Sequence, residues 1–350
     1  MKRLLAATLG LTLLGAVTVS AAPQTWSPTS VPVDHGDILA VDALTDKEAY
    51  AVGYRLTGLS EVEQVALKWD GVAWTQHSLL PTGSFAAAVE ARSSSDIWII
   101  GAASAHWDGA AWTQYPLGST PAGRMVPDAI ASSGDKVWIA GRQTTRSIKD
   151  GVPAVQTWNG TGWQFESLPA LGIGELTGLA VVGPNDVWAT GSLFVDGGAQ
   201  RPLTLHWDGT SWQHVSTPTV PDRPTWLSGV TAVGPNDVWA VGGSYSDGGD
   251  LPFSMRWDGR KWTVVRTPAV FDGRLRAVGR TGTGEVWAVG GKGSVGIALR
   301  WEPRLRSWVR VPAPDVVVRG FSTVPGGGAL WAVGVARQGD LVPAVVRRTR

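Results

Sequence analysis

The stretch Gly183-Pro184-Asn185-Asp186-Val187-Trp188-Ala189-Thr190-Gly191, followed by Trp207-Asp208-Gly209-Thr210-Ser211-Trp212, decides the fold. Two apolar runs are separated by turn residues in each phrase. An Asp-Gly between apolar stretches marks a tight hairpin, because glycine accepts positive φ at no steric cost. The first phrase recurs with its final glycine at Gly53, Gly101, Gly141, Gly191, Gly242, Gly290 and Gly334, about 47 residues apart. The second recurs with its first Trp at Trp69, Trp107, Trp158, Trp207, Trp257 and Trp301. Seven copies of one phrase and six of the other leave one module incomplete.

The missing piece is at the other end of the chain. Trp26-Ser27-Pro28-Thr29-Ser30-Val31-Pro32 matches the tail of a module, as in Trp212 to Pro218, while Ala329 to Arg347 supplies three strands and no fourth. A four-stranded unit repeated seven times, with its last copy made from both chain ends, predicts an all-β, seven-bladed β-propeller closed by the N-terminal strand. Second strands such as Val187 to Thr190 are apolar on both faces, as expected of strands sandwiched between blades. Third strands alternate, with Leu205 and Trp207 on one side and Thr204 and His206 on the other.

Composition agrees. The chain has 350 residues with 45 glycines for turns and 20 tryptophans, 19 of them at repeat positions once Trp26 is counted with the last blade. That places the aromatic richness in the core. Formal charge is +1, with no basic stripe for nucleic acid. The run Met1-Lys2-Arg3, then Leu4 to Val17, then Val19-Ser20-Ala21-Ala22 has the three parts of a secretory signal peptide, predicted to span residues 1–22 ahead of one propeller domain over 23–350. Export to the extracellular space or periplasm is expected, with no membrane insertion of the mature chain. The chain has no cysteine, hence no disulfide and no thiolate chemistry.

These residues resemble the kelch family of propellers and its bacterial exported relatives. Ala240-Val241-Gly242-Gly243, a variable loop, then Trp257-Asp258-Gly259 and Trp262 follow the kelch order of apolar strand, double glycine, aromatic, turn and Trp. Trp301-Glu302-Pro303 with Trp308 looks like the kelch Tyr-Asp-Pro turn with its downstream Trp. The double glycine stands only at Gly242-Gly243 and Gly290-Gly291; other blades carry one. The WD-repeat family has a regular upstream Gly-His that this chain lacks. Galactose oxidase needs a Tyr–Cys crosslink, which a chain without cysteine cannot form.

In propellers of this kind the first-to-second and third-to-fourth turns share one face. Here they are short and repetitive, whereas the other two loop classes are long and varied, which puts a ligand site at the channel mouth on the second face. Counting back thirteen residues from each second-strand aromatic gives a ring of Asp37, Phe85, Met125, Glu175, Trp226, Arg274 and Val318. Trp226 is the one tryptophan outside the repeat. With Asp222, Arg223, Asp272 and Arg274 it suits stacking on a sugar or aromatic ring while Arg and Asp bind hydroxyls or carboxylates; as a plain structural residue it plugs the channel.

Other signals are weaker. His35, beside Asp34 and Asp37, is the one histidine placed near the channel, and His106 and His206 read as polar faces of third strands. Ser246-Asp247-Gly248-Gly249-Asp250 reads as a turn, without the alternating oxygen ligands of a calcium loop. Asp96, Asp186 and Asp237 are expected to cap turns. No catalytic order, metal-ligand spacing or cofactor motif stands out, and no cofactor or metal is expected. The leading expectation is a monomeric, non-enzymatic binding and scaffold propeller whose variable face meets a protein or a cell-envelope glycan, through Trp226, Arg274, Glu175, Asp272, Arg223 and His35. The competing class is a carbohydrate-active propeller enzyme, a sugar mutarotase or lyase, with Glu175, Arg274 and His35 converging in one pocket.

Overall fold

A computed structural model describes residues 25–58, 61–77, 86–144, 150–195, 198–218, 220, 223–246, 248–292, 295–336 and 342–349. Residues 1–22, read above as a signal peptide, and Phe85 and Asp222 lie outside the described residues. Seven antiparallel sheets are present. Blades 1 to 6 begin with the innermost strands Gly36–Thr45, Ala88–Ser93, Gly123–Ser133, Gly174–Gly183, Thr225–Gly234 and Leu275–Arg280, each followed outward by three further strands. Blade 7 runs outward through Val316–Thr323, Leu330–Ala336 and Pro343–Arg348, and its outermost strand is Ser27–Thr29. Each innermost strand packs on that of the next blade, and the last packs on the first. The ring is closed by the N-terminal strand, with Ser27 opposite Arg347 and Thr29 opposite Val345. Blade 3 carries one extra short strand, Ser119–Thr120, against its innermost strand.

The repeat phrases explain this packing. Second-strand Trp98, Trp138, Trp188, Trp239, Trp287 and Trp331 are fully buried. Each sits between blades: Trp188 of blade 4 meets Trp257 and Trp262 of blade 5 at 5.0 and 5.3 Å, and Trp239 of blade 5 meets Trp301 and Trp308 of blade 6 at 4.6 and 5.1 Å. Trp331 of blade 7 closes the ring on Trp69 and Trp74 of blade 1, at 5.2 Å from each. The interlock is therefore tangential, from one blade to the next, and truncating one such indole is expected to cost about 3–5 kcal/mol. Blade 7 has no third-strand Trp, and there Arg348 lies over the Trp287 ring at 4.3 Å instead. Fourth strands are shorter than their sequence suggests; blade 4 pairs only over Trp212–His214, ahead of the Pro218 stop.

The third-to-fourth turns of blades 1 to 5 are built by one device. The Asp208 carboxylate accepts the backbone N–H groups of Thr210 and Ser211, both at 2.9 Å, and Gly209 stands at φ 95. The Thr210 hydroxyl, and then those backbone bonds, hold the Asp208 carboxyl down at about 2. The acids Asp96, Asp186 and Asp237 do not cap turns in this way. They hold third-strand side chains that stack on the second-strand Trp: Asp186 bonds His206 at 2.8 Å while His206 lies on Trp188, and Asp237 grips Arg256 with two bonds while Arg256 lies on Trp239. A flat cation or imidazole on an indole face gains more from a fixed carboxylate than an isolated turn would, so the acid is drawn to the stack.

Candidate functional site

The glycine that ends each first phrase shapes the channel mouth. At Gly191 an added Cβ would collide with the Glu175 carbonyl oxygen of the innermost strand, and at Gly242 with that of Trp226. Gly53, Gly141, Gly290 and Gly334 are crowded in the same manner by the carbonyls of Asp37, Val126, Arg274 and Val317. This close approach accompanies a bulge in the innermost strand, seen between Ile38/Ala40, Pro127/Ala129, Leu176/Gly178, Leu227/Gly229, Leu275/Ala277 and Val318/Gly320. A bulge leaves one residue unpaired and re-aims its side chain. The mouth thus carries two levels: a rim of Asp37, Val126, Glu175, Trp226, Arg274 and Val317, and below it the bulge residues Leu39, Asp128, Thr177, Ser228, Arg276 and Arg319.

This register corrects the rim predicted by counting. Val126 and Val317 stand where Met125 and Val318 were expected; the latter two are core, 2% and 3% exposed. Spacing from the second strand misjudges the rim wherever a bulge or turn adds a residue.

Rim side chains settle in the seams between blades. In the 5/6 seam Trp226, paired opposite Gly243, rests its indole on that glycine: a Cβ there would lie 2.9 Å from the indole Cε2 and 3.1 Å from the Arg274 Cβ. Arg274 reaches Asp250 at 3.6 Å; Lys292 lies 3.5 Å from Asp250 and 2.7 Å from Asp272. The structure therefore joins Trp226, Arg274 and Asp272 and adds Asp250 and Lys292. Asp272 sits at φ 56, a strained conformation for a residue with a Cβ, and Phe271 beside it is 64% exposed. The Lys292 ammonium holds the Asp272 carboxyl below its usual range. Asp250 belongs to a hairpin, opposite Tyr245, which agrees with the turn reading of that loop.

Glu175 is elsewhere, in the 3/4 seam. It is ion-paired to Arg142, which also lies 3.7 Å from Asp128. Burial, opposed by Arg142 and reinforced by the Glu175 charge, pushes the Asp128 carboxyl up to about 6. His35 and Arg223 are exposed on the rim of blades 1 and 5. Glu175, Arg274 and His35 thus belong to three separate places; each of the first two is neutralised by its own partner, and the three do not form the single pocket that the enzyme reading requires. Lower in the channel wall, Asp42 accepts the Ala91 N–H at 2.8 Å, and Glu90 accepts the Ser132 hydroxyl at 2.6 Å. Burial first, then the Asp42 charge, raises the Glu90 carboxyl to about 8.

Apolar exposure is uneven between the faces. Among the described residues the large apolar side chains left exposed are Leu56, Val62, Val152, Ile173, Tyr245, Phe271 and Val342 in the long-loop classes, against Val72 and Leu305 in the short turns and Val264 on an outer strand. A shallow groove of about 280 Å³ on the long-loop side of blade 3 is lined by Gln143, Pro153, Phe165, Leu168, Pro169 and Leu171, among others. No group of three or more acidic or histidine side chains suited to a metal, and no helix long and apolar enough to cross a membrane, occurs among the described residues.

No family model matches the chain, and no curated protein matches it. Among solved structures, the fold matches that of "YCF48 bound to D1 peptide" with a TM-score of 0.62 at 15% identity, over 95% of this chain and 97% of that one. At that identity the likeness concerns the fold.

Proposed function

We propose that this chain is an exported, non-catalytic β-propeller of kelch-like repeat type whose long-loop face docks a protein. The observation that carries the reading is the asymmetry of exposed apolar side chains, seven on the long-loop side against two in the short turns. Isolated exposed apolar residues mean little, but a set concentrated on one face and accompanied by Arg and aromatic residues has the composition of a protein interface. Tyr245, Trp226 and Phe271 supply the anchors, and Arg223, Arg274 and Lys292 the polar rim. The match to a propeller bound to a peptide supports the reading as a precedent for this fold in such a role. The leader-like run from Met1 to Ala22 supports export.

The test is cross-linking in the secreting cells, comparing the native protein with Tyr245→Ser/Phe271→Ser and with Val72→Ser on the short-turn face. The double variant should lose its cross-linked partner while Val72→Ser keeps it. Loss only in Val72→Ser would sink the assignment of the face.

A second reading, a cell-envelope glycan, draws on the 5/6 seam, where the half-buried indole of Trp226 lies beside Arg274 and Asp250. A glycan screen separates the two: saturable sugar binding lost in Trp226→Ala and kept in Tyr245→Ser/Phe271→Ser would favour the glycan.

A further inference from the structure

Two arginines at the bulge level have different fates, and the repeat makes the comparison direct. Arg319 of blade 7 and Arg276 of blade 6 each occupy the bulge of an innermost strand, between Val318 and Gly320 and between Leu275 and Ala277. A bulge side chain reaches toward the rim of the following blade. Thus Thr177 of blade 4 donates its hydroxyl to the Leu227 carbonyl of blade 5 at 2.9 Å, and Arg319 donates to the Asp37 carboxylate of blade 1 at 2.8 Å. Asp37 stands opposite Tyr54, one residue before the pair Ile38 and Gly53. In the blade that follows Arg276, the residue equivalent to Asp37 stands opposite Val335, one residue before the pair Val318 and Gly334, and it is Val317. At the same register position the first arginine finds a carboxylate, and the second has a residue that can offer none.

Among the described residues no acid pairs with Arg276, and its charged neighbours are Arg274 and Arg319. The Arg274 Nε is also buried without a hydrogen-bond partner. Burial, and then these two like charges, pull the Arg276 guanidinium down to about 10. A half-buried cation with no counter-charge is costly to keep, and a single fixed carboxylate would relieve it through charge-assisted bonds.

We propose that the 6/7 seam at the channel mouth is a carboxylate-binding subsite, in which Arg276, with Arg274 and Arg319 beside it, holds a ligand carboxylate in the place that Asp37 fills at the neighbouring seam. The subsite opens on the same face as the docking surface above. Its test needs no partner, so the two readings can fail separately.

The experiment is thermal unfolding of the intact protein in sodium acetate against sodium chloride at equal ionic strength, with inorganic phosphate as a third arm. Acetate should raise the midpoint saturably, and Arg276→Leu should abolish the rise. Val317→Asp supplies the missing carboxylate from within the chain; it should raise the midpoint without acetate and remove the acetate response. The proposal is overturned if the native protein shows no acetate-specific rise, if Arg276→Leu keeps the full rise, or if Val317→Asp lowers the midpoint and still responds. A response to phosphate that depends on Arg276, with none to acetate, would overturn the carboxylate assignment in favour of a phosphate group.

Discussion

The indole of Trp226 lies on Gly243, so close that a Cβ on the glycine would meet the ring 2.9 Å from Cε2. Gly243 is the second glycine of the Gly242-Gly243 pair. At the equivalent position blades 1, 3, 4 and 7 carry Tyr54, Arg142, Ser192 and Val335, and none of them faces an aromatic rim residue. Blade 6 also has a second glycine, Gly291, which stands at φ 141 beside the non-aromatic Arg274, whereas in blade 5 the second glycine makes room for one indole.

This contact makes the two residues thermodynamically coupled. Trp226→Ala, at a half-buried site, should cost about 1–2 kcal/mol, less than the roughly 3–5 expected for a core aromatic. Gly243→Ala should destabilise the native protein yet be nearly neutral once Trp226 is Ala. Denaturant unfolding of the two single variants and the double gives the coupling energy, expected at about 1 kcal/mol. Strict additivity would mean that the indole does not rest there.

Gly191 tests the close approach of the inner strands. Its Cβ would strike the backbone carbonyl of Glu175, which no rotamer change can move aside, so Gly191→Ala should cost about 3 kcal/mol. Gly183, with nothing within 4 Å of its added Cβ, is the control. Gly183→Ala should be neutral or stabilise by up to about 1 kcal/mol, by restricting the unfolded chain. Equal melting of the two variants would contradict the bulged geometry.

The seven-bladed closure was legible because each blade repeats one solution to one packing problem, and Trp188, Gly191 and the Asp208-Gly209 turn have counterparts in most copies, with Tyr50 for the Trp in blade 1 and Glu302-Pro303 for the Asp-Gly in blade 6. The site was less so. Trp226, Arg274 and Asp272 were identified as residues that the repeat does not demand, and they do share a seam with Asp250 and Lys292. Glu175 and His35 were grouped with them by register along the chain, but register places side chains on a ring and does not say which seam they enter. Arg276 was invisible for a related reason. Its meaning lies in the absence of an acid at Val317, which shows only when the bulges of blades 6 and 7 are superposed through their pairing.

The channel acids give the protein a pH dependence of definite sign. Glu90 is raised from 4.5 to about 8, chiefly by burial and then by Asp42, whose own carboxyl is raised by burial. The folded state thus holds a proton that the unfolded state releases. This contribution is fully present below about pH 4.5 and is lost as pH rises through about 8, so stability should decline between those limits. Glu90→Gln keeps a hydrogen-bonding group beside Ser132 and removes the titration. Denaturant midpoints at pH 5 and pH 9 should therefore differ less in Glu90→Gln than in the native protein; an unchanged difference would place the proton elsewhere.

Closure of blade 7 rests on a strand of three residues and on bonds that reach beyond it. The Thr29 hydroxyl donates to the Val345 carbonyl at 3.0 Å and accepts from the Trp74 indole of blade 1 at 3.1 Å, and the Trp26 indole donates to the Pro312 carbonyl of the blade 6 to blade 7 connection at 3.0 Å. The strand thereby ties blade 7 to both of its neighbours. Deleting residues 25–31 should expose the edge of Pro343–Arg348 and leave the Trp74 N–H without its acceptor, an unmet buried donor costing about 1–3 kcal/mol on top of the lost pairing. Differential scanning calorimetry should show a lower midpoint and a broader transition, because a propeller with an open ring can unfold from its free edge. Thr29→Val keeps the strand and removes only the hydroxyl with its bonds to Trp74 and to the Val345 carbonyl, so its loss should be smaller than that of the deletion, at about 1–2 kcal/mol. Unchanged melting in the deletion would mean that the ring closes without the N-terminal strand.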